Sequence, residues 1–147
     1  MTIARTTQIA AETQAFAAEL ARRFGPRAFY ALVGDLGAGK TCFVQGLARA
    51  LGIAAAVCSP TFTLVNEYRG AGGNRLVHAD LYRLAGPDDL DAIGWDDYLD
   101  SGDAMAVEWP ERAGDQLPSR TIFVEIKIGD APDERRFHVV APQGADA

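Results

Sequence analysis

Residues 34–41 read Gly-Asp-Leu-Gly-Ala-Gly-Lys-Thr and fit the pattern G-x-x-x-x-G-K-[ST]. That spacing serves one kind of chemistry, the grip on a polyphosphate. Glycines let the backbone curl round the phosphates with its N–H groups turned inward. Lys40 supplies a mobile charge for the β- and γ-phosphates, and the Thr41 hydroxyl can complete the shell of a Mg²⁺ ion. Two carboxylates could join them. Asp80 and Glu108 each close an apolar run, Leu76–Ala79 and Ala104–Val107. An acid at the end of a buried strand beside a phosphate loop either holds Mg²⁺ through water or orients an attacking water. Pattern alone leaves open which acid does which, and a strand-end acid also reads as a solvated terminus.

The elements that must position these groups follow from periodicity. Ala28–Val33 has the length and bulk of a buried strand. Phe43, Val44, Leu47, Ala48 and Leu51 recur at helical spacing, and Gly52 stops that helix, whose N-terminus adds roughly half a positive charge at the loop. Ala10–Phe24 predicts a second helix with Phe16, Leu20 and Phe24 on one face, closed by Gly25-Pro26; Met1–Thr7 reads as an extended lead-in with Thr6 or Thr7 as its cap. Phe62, Leu64 and Tyr68 alternate with Thr61, Thr63 and Val65, and Leu76–Asp80 runs back after the turn Arg69–Asn74, an antiparallel hairpin beside the phosphate loop. Ser59-Pro60-Thr61 reads equally as a loop entering a strand or as a switch segment that senses the γ-phosphate.

Farther on, Pro87–Asp100 predicts a helix or two short turns, with Leu90, Ile93, Tyr98 and Leu99 inward and its aspartates on a solvated outer side. Ile122, Val124, Ile126 and Ile128 share the dry face of a late strand, and Arg135–Ala141 makes another. Arg135 or Arg136 could reach a phosphate or the adenine side. His78 reads as a half-buried hairpin residue, because no second His or Cys lies at ligand spacing. Trp109 is either a sheet-edge cover or a lid. Residues 142–147 should fray. The sum is a P-loop NTPase-like α/β fold: three layers, α/β/α, with a mixed, mainly parallel sheet plus an antiparallel hairpin, as one domain over residues 1–147.

Composition narrows the partners. Of 147 residues 48% are hydrophobic and 23% charged, ordinary for a globule, and no apolar run reaches membrane-span length. The net charge of −6 argues against gripping nucleic acid unaided. Cys42 and Cys58 form no metal or redox pattern, which makes the cytoplasm the expected compartment.

Four segments together resemble one family: residues 34–41, Ser-Pro-Thr-Phe-Thr-Leu-Val at 59–65, His-Ala-Asp-Leu-Tyr-Arg-Leu at 78–84, and Val-Glu-Trp-Pro-Glu at 107–111. The chain is similar to the TsaE family, the ATPase subunit of the bacterial machinery that makes threonylcarbamoyladenosine in tRNA. The resemblance implies ATP binding by Asp35, Gly37, Ala38, Gly39, Lys40, Thr41, Cys42, Thr61, Trp109 and Arg135. It implies Mg²⁺ on Thr41 and Glu108, and catalytic work by Lys40, Asp80 and Glu108. Ala79 stands where the family usually has Phe. The implied partners are the TsaD and TsaB subunits, with tRNA met only indirectly and no membrane.

Two further readings stand beside an ATPase dependent on a partner. One is a small-molecule kinase of the same fold, against which the chain lacks an arginine-rich lid. The other is a nucleotide-gated binding switch, which the 59–63 loop favours; a guanine-specific version is disfavoured because no N-K-x-D segment occurs.

Overall fold

The computed structural model describes residues 1–35, 38–60 and 64–146. Its centre follows from the most apolar runs. Strand β2 (Phe29–Val33) is buried from Phe29 to Leu32, after the edge strand β1 (Thr2–Thr7) has opened the chain. A strand with no wet face must be covered on both sides. The remaining strands are β3 (Val65–Arg69), β4 (Arg75–Asp80), β5 (Ala104–Glu108), β6 (Ile122–Ile128) and β7 (Arg135–Val140). They form one seven-stranded sheet in the order β1-β7-β6-β2-β5-β4-β3. The neighbours β6, β2, β5 and β4 are mutually parallel, while β7, β1 and β3 pair antiparallel at the flanks.

Helices α1 (Ala10–Phe24) and α2 (Lys40–Ala50) cover one face. Phe16, Leu20, Phe43 and Leu47 meet Tyr30, Leu32, Val124 and Phe137 there, with Phe43 and Phe137 stacked at 5.9 Å. The other face carries the 3-10 segments Pro87–Ile93 and Pro110–Gln116 and the short helix α3 (Trp95–Ser101). Trp95 is its anchor: 1% exposed, edge-on to Phe29, with its indole N–H donating to the Gln116 carbonyl at 3.2 Å. Alternation sorts the sheet residues cleanly. Leu76, Ala104, Ala106, Tyr30 and Leu32 face α1 and α2, whereas Val77, Ala79, Met105, Val107 and Phe29 face α3.

Several expectations are corrected. Residues 2–7 are a full strand on β7, and the cap of α1 is Ile9; Thr7 instead shares a buried hydroxyl contact of 2.7 Å with Thr13. The first hairpin strand starts only at Val65, because Leu64 has φ 63, a left-handed conformation that ends alternation; residues 61–63 lie outside the described residues. Ile128 is 53% exposed, since it lies past the reach of the helices over β6. Trp95, absent from the expected inward set, is the largest buried side chain. The final residues turn back: Ala145 packs on the core, and Arg23 Nε meets Asp146 Oδ1 at 2.7 Å.

The crossing of α1 on α2 is close because Gly46 has no side chain. A methyl there would meet Gln14 Cα at 2.7 Å and Ala17 Cβ at 2.8 Å. Gly46→Ala raises helix propensity but forces the helices apart, so it should destabilise by about 1–3 kcal/mol. Urea denaturation reads this as a lower midpoint at unchanged slope; an unchanged or higher midpoint would show that the crossing yields at no cost.

Candidate functional site

The site forms where β2 ends and α2 begins. Gly39 starts α2 with φ 102, a conformation that disfavours a Cβ. Among the described residues no side chain caps this helix, and no acid lies in its first turn. Its N-terminal N–H groups and positive dipole end are left for an anion. Lys40, the first residue of α2, is only 7% exposed. Its ammonium donates to the Gly34 carbonyl at 2.9 Å, lies 3.7 Å from Glu108 Oε1, and sits 5.6 Å from the centre of the Trp109 ring.

The two acids meet through register. Parallel pairing sets Asp80 of β4 opposite Glu108 of β5, and Glu108 opposite Leu32 of β2. Alternation turns both acids toward the face that α2 covers, with His78 two residues before Asp80. His78 is fully buried, and its Nε2 lies 2.7 Å from Glu108 Oε2. Burial pushes the Glu108 carboxyl up, but the His78 hydrogen bond and the positive charges of the site outweigh it and hold the carboxyl below its usual range. Asp80 goes the other way. Burial first, and then the neighbouring Glu108 charge, raise it, against the opposing hydrogen bond from the Tyr82 N–H at 3.0 Å. The structure thus makes two unlike carboxyls from one adjacent pair.

Trp109 leaves β5 with φ 55, again left-handed, and its ring packs against half-exposed Tyr82 at 4.9 Å between centroids. A cleft of about 290 Å³ opens beside Lys40, lined by Gly34, Asp35, Trp109, Glu125 and Ile126 among others. A smaller cavity of about 90 Å³ lies against Gly39, Cys42, Ala10, Thr13 and Arg135. Arg135 runs across the loop, so that a methyl on Gly39 would lie 3.6 Å from its Nε. Arg136 points away, exposed and bound to Asp130 and Glu134 at 2.9 and 3.1 Å. Of the two arginines, Arg135 is the one that lies beside Gly39 of the phosphate loop. Cys42 turns its thiol to the Ala10 carbonyl, and burial raises it.

Of the candidate residues, Asp35, Ala38, Gly39, Lys40, Thr41, Cys42, Asp80, Glu108, Trp109 and Arg135 gather at this edge of the sheet. Gly37 and Thr61 lie outside the described residues. His78, expected as a half-buried hairpin residue, is instead a buried partner of Glu108. The signal was present in its spacing of two from Asp80 on one strand.

Comparison with known proteins adds the family. A family model described as "Threonylcarbamoyl adenosine biosynthesis protein TsaE" matches residues 7–137, from the end of β1 into β7. The TsaE protein of Bacillus subtilis is 40% identical over 131 residues, covering 88% of this chain and 80% of its own length. That of Aquifex aeolicus is 45% identical over 121 residues, covering 81% and 82%. That of Haemophilus influenzae is 42% identical over 110 residues, covering 75% and 68%. Each is named a tRNA threonylcarbamoyladenosine biosynthesis protein. The crystal structure of Bacillus subtilis YdiB matches with a TM-score of 0.75 and 35% identity, over 96% of this chain and 86% of that one. An uncapped phosphate-loop helix, two register-matched acids and this breadth of likeness agree, and the chain belongs to the TsaE family, whose role lies in tRNA threonylcarbamoyladenosine biosynthesis.

Proposed function

We propose that this protein is a Mg²⁺-dependent ATPase that supports threonylcarbamoyl transfer to tRNA adenosine by a partner enzyme. The observation that carries the reading is the Lys40 ammonium, held at the bare N-terminus of α2 beside the Asp80–Glu108 pair. A triphosphate brings negative charge to the uncapped helix end and competes with Glu108 for the Lys40 ammonium. Gly39, Lys40, Thr41 and Cys42 offer backbone N–H groups to it, Asp35 and Ala38 are tied together by the bond from the Ala38 N–H to the Asp35 carbonyl, and the family likeness adds Gly37 and Thr61 as nucleotide-binding candidates. Arg135, beside Gly39, and Trp109, beside Lys40, are the further groups that would meet the nucleotide.

The donors fit a hard cation. The Thr41 hydroxyl and the Glu108 carboxylate are oxygen ligands, with the Asp80 carboxyl beside them, few enough to leave positions for phosphate and water as Mg²⁺ requires. When bound, Mg²⁺ supplies neutralisation of charge on the phosphates. The chain does the rest. Lys40 follows the charge that develops on the transferred phosphoryl group. Glu108, kept ionised by its neighbours, holds the metal side, and Asp80 is suited to orient water or a water-bound ligand. TsaD and TsaB are the partners that the family likeness suggests, in the cytoplasm, with TsaD performing the transfer. A chain whose site is completed by a partner turns over slowly alone.

Two measurements test this. Lys40→Ala should lower ATP turnover by at least about a hundred-fold while circular dichroism and the thermal midpoint show a folded chain; wild-type turnover in a folded variant would falsify the assignment. Asp80→Asn separates stability from function. The folded-state carboxyl of Asp80 sits above its usual value, so its ionised form weakens the fold at neutral pH, a cost that disappears as pH falls to the usual carboxylate range. The amide still accepts from the Tyr82 N–H. The variant should therefore melt up to about 3 °C higher at pH 7, with the gap closing toward pH 4, and should lose turnover. The Glu108 contribution has the opposite sign and is lost as pH falls below the usual carboxylate range; it is present in both chains, so the gap between them reads Asp80 together with its repulsion of Glu108. A lower midpoint at pH 7 would contradict the charge argument.

A further inference from the structure

We infer that His78 is the positioning residue for Glu108, its imidazole Nε2–H pinning one carboxylate oxygen so that the other is aimed at the metal and water side of the site. The inference rests on the ATPase reading and names the part of the machinery that keeps its acid in place.

Glu108 is 5% exposed and, among the described residues, has two cationic or donor neighbours, Lys40 and His78. The Lys40 contact, at 3.7 Å, is beyond hydrogen-bond length, whereas the His78 contact, at 2.7 Å, is short and well within it. An ionised carboxylate only accepts, so Nε2 is the donor. Lys40 also has a second duty. A bound triphosphate competes for its ammonium, and the Glu108 contact is the weaker of its two polar links. Whatever holds Glu108 once Lys40 serves phosphate must come from elsewhere. His78 meets that need. It is wholly buried in β4, paired in register with Ala106, and reaches diagonally forward to Glu108.

Its other nitrogen makes the same point. Among the described residues Nδ1 has no hydrogen-bond partner, although it is buried. Leaving a polar atom so costs about 1–3 kcal/mol, which an apolar side chain at this position would avoid. Packing therefore does not account for an imidazole here, and the bond to Glu108 does. Partners of this kind, one shell behind a ligand, set its orientation and are worth roughly 10–100-fold in metal affinity or activity.

The test compares His78→Leu, His78→Phe and His78→Gln, each made also in the Glu108→Gln background. Thermal midpoints check the fold. Two quantities are read: steady-state ATP turnover, and binding of a fluorescent ATP analogue with and without Mg²⁺. The donor-less variants should lower kcat about 10–100-fold with KM for ATP within about twofold. They should weaken analogue binding only when Mg²⁺ is present. His78→Gln, which keeps an N–H donor, should recover much of both losses. In the Glu108→Gln background the same variants should cause no further loss, because His78 acts through that carboxylate. Wild-type kcat in a donor-less variant alongside an inactive Lys40→Ala overturns the inference and leaves the ATPase reading standing. So does an equal loss in the Glu108→Gln background, or an equal fall in Mg²⁺-free binding. If neither donor-less chain folds while the glutamine variant does, the role is structural and the inference is wrong. Should wild-type turnover be absent even with its partners, the ATPase reading fails, and the Mg²⁺-dependent binding still decides the part played by His78.

Discussion

A carboxylate taken out of water must be paired, and the structure is arranged round that requirement at Glu108. Burial alone would neutralise it. His78 from the next strand and Lys40 from the helix in front keep it charged. These three groups come from three elements, β5, β4 and α2, so the ion cluster forms only when sheet register and helix placement are both correct. The layers behind it serve that end. Phe43 and Leu47 seat α2 on the sheet, and Trp95 with Phe29 backs β2 and β5 from the other side.

The same geometry gives unlike environments to two acids that are equal in sequence terms. Asp80 is adjacent to Glu108 but has no ion pair among the described residues, and burial first, then the Glu108 charge, raise its carboxyl. Unequal carboxyls side by side are a common way for one site to manage a cation and a proton donor or acceptor at once. Ionisation costs stability at Asp80 and adds it at Glu108.

What the sequence made legible was what depends on local pattern. Helix α1 could be read to the residue from its Phe16–Leu20–Phe24 stripe and the Gly25-Pro26 stop, and α2 from the phosphate loop onward. The strand-end positions of Asp80 and Glu108 were legible for the same reason. What failed depends on partners distant in the chain. Strand β1 is mostly exposed and carries no hydrophobic alternation; only its pairing with β7 makes it a strand. Leu64 fits an alternating run, yet its backbone turns left-handed, which side-chain pattern cannot register. Spacing to other histidines and cysteines gives His78 no partner. The true partner is a glutamate whose nearness depends on the offset between β4 and β5. Arg135 and Arg136 were indistinguishable by type and are separated only by the alternation of β7, which sends one over the loop and the other to solvent.

The turn joining β3 to β4 shows what such a register-bound site permits in chain length. Gly72 and Gly73 there have nothing within 4 Å of an added methyl, and the turn lies at the opposite end of β4 from Asp80. Extra residues at Gly72 and Gly73, past Gly70 and Ala71 which dock on Leu51 and Gly52, lengthen a surface loop at a cost of only about 0.6 kcal/mol per doubling of its length. A single residue lost from within β4 is another matter. The slip would swing the imidazole and the aspartate to the α3 side and bring Val77 and Ala79 round in their place. Among descendants of this fold, length should therefore drift freely at the hairpin tip and be held constant over the half-dozen residues that follow it.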